Sequence, residues 1–335
     1  MQSEASPDPA GPEVAASLFS LTDVEGYEAL DAAVDAGTGT VAVTAPPYGG
    51  RGAVLAHLAE RLGTEVVHLD PARTDPPAVP ERPGEVLVVD GCHHLYDRRV
   101  GGFEPLERFL DRVARTDALV VAGWNAGAWA YLDAARDLCA FDARFAVPGV
   151  DREAMEAWVL DRHEGSVTFA ADSPEAVSPV AVEDTSVTVL GRDLTVPVPR
   201  YDPDYRSARR AERFDDPAAA AFARLTDVSD GNPGVAWAVW RASVRDGTVT
   251  VGEVEPPVEP VPADVGVDGA FVLRVVLSAG RISRERLRDV AGPGTDRQVR
   301  ARSRAGYLAV EGDEVAVPPA AVPRVAAFCD RRRVP

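Results

Sequence analysis

Along this chain, segments with the apolar spacing of β-strands alternate with segments that have the apolar spacing of helices. Short runs rich in β-branched residues are typical of strands that are buried on both faces. Four strand patterns lie near the start of the chain, at 41–44, 65–70, 86–90 and 118–122. An amphipathic helical pattern at 105–115 separates the last two. Strands that alternate with helices predict an α/β fold with a parallel sheet, which binds ligands at the carboxyl ends of its strands.

The stretch 40–61 combines a strand, a glycine-rich turn and an amphipathic helix. This is the layout of a phosphate-binding loop, in which backbone N–H groups hold the phosphates, a lysine contacts them and a hydroxyl holds Mg²⁺. The motif G-x-x-x-x-G-K-[ST] lies over positions 45–52, but only Gly50 matches it, with Arg51 at the lysine and Gly52 at the hydroxyl. The pattern therefore predicts the fold of such a loop more strongly than its chemistry. The candidate nucleotide-binding residues are Gly49, Gly50, Arg51 and Gly52.

The second half of the chain has a mixed pattern. A helical region at 151–250 contains an alternating segment at 166–199, which predicts a β-hairpin insertion that turns at Gly191, Arg192 and Asp193. The segment 251–268 is rich in proline and acidic residues, which predicts a semi-extended linker rather than a packed one. The predicted organisation is a disordered 1–20, an α/β domain at 21–150, a helical lid with its insertion at 151–250, a linker at 251–268 and a last domain at 269–335.

The last domain differs from the rest of the chain in charge. Residues 271–335 hold 13 arginines and 7 acidic residues, so they carry +6 while the remainder carries −24. Their apolar pattern predicts three helices and then a two-stranded hairpin, which is the order of a winged helix-turn-helix. In the third predicted helix Arg297, Arg300 and Arg304 share one face, and Arg302 lies off that stripe as a candidate phosphate contact. The alternatives are DNA binding through this helix and protein docking with solvated arginines.

Composition indicates a particular environment. The 335 residues include no lysine, so all 35 basic residues are arginine, and the net charge is −18. Such a chain resembles the cytoplasmic proteins of salt-loving archaea, whose surface carboxylates repel one another little because the Debye length in molar salt is about 3 Å. We therefore expect the acidity to serve solubility rather than a basic partner.

Cysteine usage and hydropathy favour a cytoplasmic location. Cys92, Cys139 and Cys329 are far apart and form no paired motif, which indicates reduced thiols. No apolar run approaches the roughly 18 residues of a membrane span, and the amino-terminal residues lack the basic and apolar pattern of a signal peptide.

Two local clusters have competing interpretations. One combines a thiol with two imidazoles, in Cys92, His93 and His94. Consecutive residues rarely all face one ion, so we predict no metal site there and expect one of the histidines to line a cleft beside Asp90. The other cluster is aromatic, with Trp124, Trp129 and Tyr131. These rings either stack on a base or pack in the core, and packing is the favoured interpretation.

Residues 21–335 resemble the AAA/STAND-type P-loop ATPases that end in a winged helix, a group that includes the archaeal origin-recognition initiators. Asp90, at the end of an apolar strand, is similar to the Walker B aspartate, and Asn125 is similar to the sensor-1 residue. Asn232 lies in a Gly-Asn-Pro sequence similar to the motif that follows the lid helices of STAND proteins. Arg144, or alternatively Arg136, is similar to the arginine that reaches a neighbouring nucleotide. The resemblance implies ATP and Mg²⁺ as cofactors, and it adds Asp90, Asn125 and Asn232 to the candidate nucleotide-binding residues. It also implies catalytic roles for Asp90, Asn125 and Arg144, and assembly with further copies of the chain.

Several matched positions depart from that family's pattern. Gly91 stands where a catalytic acid normally follows the aspartate. The planar fork of Arg51 does not replace a compact ammonium, and Pro46 and Pro47 remove two N–H donors from the loop. We therefore expect a regulatory or scaffolding protein, a pseudo-ATPase or nucleotide-sensing module, whose winged helix binds DNA or a protein. The alternatives are an active ATPase that uses Arg51 and Asp90, and a scaffold that binds neither nucleotide nor DNA.

Overall fold

The computed structural model describes residues 26–69, 75–136, 138–171, 180–189, 192–201, 214 and 216–332. The predicted disorder of residues 1–20 falls outside the described residues. Helices of the described residues are α1 (Tyr27–Ala36), α2 (Arg51–Arg61), α3 (Glu104–Val113), α4 (Ala126–Ala135), α5 (Arg152–Arg162), α6 (Pro217–Ser229), α7 (Pro233–Ser243), α8 (Val267–Ala279), α9 (Arg284–Ala291), α10 (Thr295–Arg304) and α11 (Val322–Arg332). No helix in the described part of the chain has the length and apolar character needed to cross a membrane.

Strands of the described residues are β1 (Gly39–Ala45), β2 (Val66–His68), β3 (Val86–Asp90), β4 (Leu119–Asn125), β5 (Ala143–Ala146), β6 (Thr168–Ala170), β7 (Val180–Val189), β8 (Arg192–Tyr201), β9 (Val244–Arg245), β10 (Thr248–Thr250), β11 (Arg281–Ser283), β12 (Ala309–Glu311) and β13 (Glu314–Ala316). The first five form one parallel sheet in the order β2-β3-β4-β1-β5. The predicted α/β class with a parallel sheet is confirmed.

Helices cover both faces of this sheet, which explains its continuous apolar runs. Val41 and Val43 of β1 point into one hydrophobic core, while Ala42 between them points into the other. The strand register then brings separate parts of the chain to one edge. Ala45 lies beside Asn125, and His68 lies beside Asp90. The glycine-rich turn and both polar strand ends therefore meet at the carboxyl edge of the sheet.

The middle of the chain adds helices α5 to α7 and a small sheet of order β6-β10-β9. Strands β7 and β8 pair antiparallel, and their ladder overlaps the predicted insertion at 166–199 and extends two residues beyond it, to Tyr201. Arg192 and Asp193, which we expected in its turn, instead pair with Val189 and Thr188 as part of the ladder. The turn prediction was therefore too long, because the alternating pattern continues through these two residues.

The proline-rich segment 251–268 is packed, contrary to its predicted semi-extended state. Its valines at 251, 254, 261 and 265 are buried in the same core as the parallel sheet. Its backbone also accepts a hydrogen bond from a neighbouring helix, since Arg224 Nε of α6 donates to the oxygen of Val254 at 2.8 Å. Composition suggested an unpacked linker, but regularly recurring valines give the segment an apolar side that packs against the core.

The chain ends in a unit of four helices, α8 to α11, and an antiparallel sheet of order β11-β13-β12. Strand β11 lies between α8 and α9, the first two of the three helices predicted in this unit. Ser283 ends that strand and caps α9, because its hydroxyl accepts the N–H of Arg286 at 3.2 Å. The apolar side chains of this unit join the core of the α/β body, so the two pack as one.

Candidate functional site

A cleft of ≈ 260 Å³ opens at the carboxyl edge of the parallel sheet. Its walls are the turn after β1, the ends of β3 and β4, and part of the carboxyl-terminal unit. Six of the predicted site residues line it: Gly49, Gly50, Arg51, Gly52, Asp90 and Asn125. His93 and His94 line it as well, in agreement with the expectation that a histidine lies beside Asp90.

The glycine-rich turn is held in place by distant parts of the chain. Tyr48 adopts a left-handed conformation, with φ of 63°, and its hydroxyl donates to the oxygen of Val317 at 2.9 Å. Helix α7 contributes from the other side, because Asn232 Nδ2 donates to the oxygen of Pro47 at 2.8 Å. Gly50 is also left-handed and precedes α2, whose amino terminus has no side-chain cap. The turn therefore presents uncapped N–H groups to the cleft.

Arg51 and Asp90 form an ion pair inside the cleft. Arg51 Nε donates to Asp90 Oδ1 at 2.6 Å, and the two side chains are 18% and 14% exposed. Burial raises the pKa of the Asp90 carboxyl, but the charge and hydrogen bond of Arg51 outweigh burial, so this pKa lies below its ordinary value. Arg51 therefore faces the Asp90 carboxylate and neutralises its charge.

Gly123 of β4 makes room for this pair. A Cβ at this position would lie 2.5 Å from Asp90 Oδ1 and 2.6 Å from Leu55 Cδ1. Sequence reasoning did not single out Gly123, although a glycine inside an apolar strand often marks a close approach of other groups. Its absence of a side chain is what lets Arg51 and Asp90 meet under the sheet edge.

Gly91, at the catalytic-acid position, is also constrained. Its φ of 83° is in the left-handed region, and a Cβ there would lie 3.0 Å from the oxygen of Leu69. A residue with a side chain would be strained in this conformation. The backbone conformation at position 91 therefore suits glycine and would be strained with a glutamate.

Asn125 is engaged by the structure around it. Its Oδ1 accepts the N–H of Gly127 at 2.8 Å and caps α4, while its Nδ2 donates to the oxygen of Leu277 at 2.9 Å. Its backbone N–H donates to His93 Nδ1 at 3.3 Å. Asn125 thus connects the sheet edge to the end of α8.

His93 is buried at the same junction. Burial, followed by the charges of His94 and Arg51, holds the pKa of His93 well below its ordinary value. The ring accepts a hydrogen bond at Nδ1 and is therefore neutral, with its proton on Nε2. Cys92 beside it is fully buried, and burial raises the pKa of its thiol.

The other predicted site residues lie away from the cleft. Arg144 is exposed on β5, where its Nε donates to Thr44 Oγ1 at 3.2 Å, and the cleft lining does not include it. Arg136 lies over the ring of Phe103 at 4.4 Å. The aromatic cluster is divided: Trp124 and Trp129 are buried in the core beneath the sheet, and Tyr131 is half-buried.

Arg286 of α9 docks the carboxyl-terminal unit onto the turn after β3. It donates to the carboxylate of Asp97 and to the backbone oxygens of His94 and Tyr96, at 2.9 and 3.1 Å. The side chains of Arg286 and Asp97 are 16% and 10% exposed. Sequence reasoning missed this contact because nothing local distinguishes Arg286 from the other arginines of its helix.

The predicted DNA-contacting arginines divide into two groups. Arg297, Arg300 and Arg304 are exposed on one face of α10, and no ion pair joins any of them to a described residue. Arg302 is half-buried, and its Nη2 donates to Gln298 Oε1 at 3.3 Å. It also packs under α8, where a Cβ on Gly269 would lie 2.7 Å from it.

The cleft does not fit Mg²⁺-ATP in this arrangement. Among the described residues that line it, side-chain oxygens belong to Tyr48, Asp90 and Asn125, and each is already hydrogen-bonded. Its guanidinium groups are paired too, Arg51 with Asp90 and Arg281 with Glu314 at 2.8 Å. Mg²⁺ in such sites is usually held by one or two carboxylates together with the phosphates, and the Asp90 carboxylate is occupied by Arg51. The N–H groups at the start of α2 are the donors that the turn still offers to a phosphate.

No protein-family model matches the chain. No curated protein matches it. Among solved structures, the RuvB Holliday junction branch migration motor of Thermotoga maritima is 13% identical over 87% of this chain and 88% of that chain, with a TM-score of 0.36. The Orc1 protein of Aeropyrum pernix, in complex with DNA, is 12% identical over 96% of this chain and 97% of that chain, with a TM-score of 0.31. TM-scores this low carry no argument, and the α/β fold of this chain rests on its own strand pairing.

Proposed function

We propose that this protein is a DNA-binding regulatory or scaffolding protein whose P-loop-like body does not hydrolyse ATP. The observation that carries the proposal is the arginine face of α10. Arg297, Arg300 and Arg304 are exposed, and no ion pair joins them to a described carboxylate. Asp296, on which the charge of Arg300 also acts, forms its ion pair with Arg288. In a chain of net charge −18, a row of unpaired guanidinium groups favours a polyanionic partner.

The shape of the carboxyl-terminal unit supports this partner. Helices α8, α9 and α10 together with the small antiparallel sheet match the order expected of a winged helix-turn-helix. In that arrangement α10 is the recognition helix, which enters the major groove while β12 and β13 form the wing. Arg302 packs inward, so the proposed contact surface consists of the other three arginines.

The Arg51–Asp90 pair supports a body without hydrolysis. A nucleotide that needed the charge of Arg51 would have to break an ion pair whose atoms lie 2.6 Å apart. Among the described residues that line the cleft, Asp90 is the one carboxylate, and its pairing with Arg51 leaves no free acid there to activate water. We therefore expect DNA affinity to be indifferent to MgATP. The acidic composition and free cysteines support a cytoplasmic location in a salt-adapted cell.

The test is fluorescence anisotropy of a labelled DNA duplex, with the full chain, across a series of KCl concentrations. The triple variant Arg297→Ala, Arg300→Ala, Arg304→Ala should bind more weakly at every salt concentration. Each lost phosphate contact should also make the slope of log K against log salt shallower by about 0.9. An outcome in which affinity and slope stay unchanged would overturn the proposal and favour a protein partner.

The matched control removes the same charge from the α/β body. Arg108, Arg112 and Arg115 are exposed along α3 and the turn after it, at similar spacing. Their triple alanine variant should bind DNA as the wild type does. Equal losses in the two triple variants would show that net charge, rather than the face of α10, determines binding.

A further inference from the structure

A second and larger chamber lies beside the cleft. It has a volume of ≈ 630 Å³ and is enclosed by the ends of α5 and α7, by β12 and β13, and by Tyr48 of the glycine-rich turn. Pockets for small organic ligands usually measure about 300 to 1,000 Å³. The chamber is therefore large enough for a ligand with one or two rings, whereas the cleft of ≈ 260 Å³ is small for one.

One side of the chamber is apolar and aromatic. Trp237 of α7 is half-buried there, with its ring edge-on to Trp158 at a centroid distance of 6.1 Å. Pro318 and Pro319, which follow the wing, also line the chamber, and the short helical turn that begins at Pro319 packs against α7. A half-buried indole beside two prolines provides an apolar surface that suits a planar ring, because flat apolar surfaces bury well against each other.

The charges in the chamber are unevenly distributed. Arg241 is exposed, and no ion pair joins it to a described residue. The guanidinium group of Arg162 lies over the ring of Trp158. Its ion pair is with Asp161, whose carboxylate is 4.0 Å away and 85% exposed. Both carboxylates of the lining lie beside Arg281, which pairs with Glu314 at 2.8 Å and with Glu311 at 3.8 Å. The side formed by α5 and α7 therefore holds two guanidinium groups without a close carboxylate, which suits an acid group on a ligand.

The chamber also touches all three parts of the molecule. Tyr48, Arg281 and Ala316 line both the chamber and the cleft. Tyr48 in turn holds the carboxyl-terminal unit through its hydrogen bond to Val317. A ligand in the chamber would contact the glycine-rich turn, the helical region and the wing together.

We propose that this chamber binds a small planar aromatic anion, with its ring against Trp237 and its acid group on Arg241 and Arg162. The site is independent of the DNA-contacting face of α10. Recognition requires both parts of the ligand, because the aromatic wall alone does not select an anion and the arginines alone do not select a ring.

The test uses 8-anilinonaphthalene-1-sulfonate, an aromatic anion whose fluorescence rises on binding, with the full chain at low salt. One saturable site is expected. Arg241→Ala should weaken binding by about tenfold or more, since a charge-assisted hydrogen bond is lost. Arg245→Ala is the matched control, because Arg245 is exposed, pairs with Glu253 at 3.6 Å and does not line the chamber.

Two further measurements separate ring recognition from charge recognition. The uncharged analogue N-phenyl-1-naphthylamine should bind at least about tenfold more weakly than the sulfonate. Trp237→Phe should retain more affinity than Trp237→Ala, because a ring remains. Equal affinity for the two probes, or equal affinity of Arg241→Ala and Arg245→Ala, would overturn the proposal.

Discussion

Arg51 and Asp90 stabilise the cleft only as a pair. Each is less than one-fifth exposed, so removing one partner leaves the other charge poorly solvated. The pair depends on Gly123, since any side chain at that position would occupy the space of the Asp90 carboxylate. These three residues lie on three different elements. Together they place the guanidinium group of Arg51 against an aspartate, so that it is not free to bind an anion.

We expect Asp90→Asn to destabilise the protein at neutral pH by about 1 to 3 kcal/mol, because Arg51 loses its counter-charge. The pKa of Asp90 is lowered in the folded state, so its contribution is present above the unfolded-state value of about 3.9 and is lost as the pH falls through the folded-state value. Urea unfolding at pH 7 and pH 3 should show the difference shrinking in acid. Asp117→Asn, at an exposed position, is the control. A difference that stays constant down to pH 3 would contradict this role.

Gly123→Ala should destabilise the protein by about 1 to 3 kcal/mol through overpacking. The added methyl would displace Asp90, so the effects of Gly123→Ala and Asp90→Asn should not add. Thermal unfolding of both single variants and the double variant measures the coupling. Gly266→Ala is the control, because a Cβ there meets nothing within 4 Å. Strict additivity would show that Gly123 does not act through the ion pair.

Helix α9 and the turn after β3 form the main polar contact between the body and the carboxyl-terminal unit. Arg286 makes this contact by donating hydrogen bonds to three acceptors, a carboxylate and two carbonyl oxygens. Asn125 adds a second polar connection, to the end of α8. Because His94 lines the cleft and supplies one of these carbonyls, the cleft wall and the docked unit share atoms.

Arg286→Ala should cost about 2 to 3 kcal/mol, since the carbonyls of His94 and Tyr96 lose a charged donor. The nearly buried Asp97 carboxylate keeps only its longer ion pair, at 3.4 Å, with the half-exposed Arg99. Arg288→Ala on the same helix should cost far less, because Arg288 pairs with Asp296 at the surface, where solvent screens the pair. Urea unfolding measures both variants. Hydrogen exchange should accelerate at residues 92–97 in the first variant alone. Similar costs in the two variants would show that α9 does not hold the unit in place.

Charge acts on the molecule as a whole. The chain carries −18 in total, with the excess of acid outside residues 271–335. At low salt this charge repels itself and opposes the compact state, and added salt screens the repulsion. The same screening weakens any phosphate contact made by α10. Folding and DNA binding should therefore respond to salt in opposite directions.

The midpoint of thermal unfolding should rise between about 0.1 and 2 M KCl, as the Debye length falls from about 10 Å to less than 3 Å. The rise should be much smaller near pH 4.7, the isoelectric point, because the net charge is then close to zero. Differential scanning calorimetry at both pH values checks this. A rise of equal size at the two pH values would point to a general salt effect on apolar burial and not to charge repulsion.

The parallel sheet was predictable because its evidence is local. Runs such as Val86–Asp90 are apolar on both faces, and strand identity follows from a few consecutive residues. The approach of the glycine-rich turn, Asp90 and Asn125 was also predictable, since all three follow parallel strands. The packed segment 251–268 was mispredicted, because its prolines are visible in composition while the partners of its valines are not. Arg192 and Asp193 were misplaced for a similar reason, since turn chemistry does not show where a ladder ends.

By itself, the sequence determined which segments become strands and helices and which polar residues gather at the sheet edge, because periodicity and chain direction are local properties. Only the tertiary structure decided what those residues bond. Arg51 is 39 positions from Asp90, and Asn125 is 152 positions from Leu277. Long polar side chains pair with groups that lie close in space, whatever their separation along the sequence. The pairing of Arg51 with Asp90 also depends on the absence of a Cβ at Gly123. The fold class was therefore readable from the sequence, whereas the closed, self-paired character of the cleft was not.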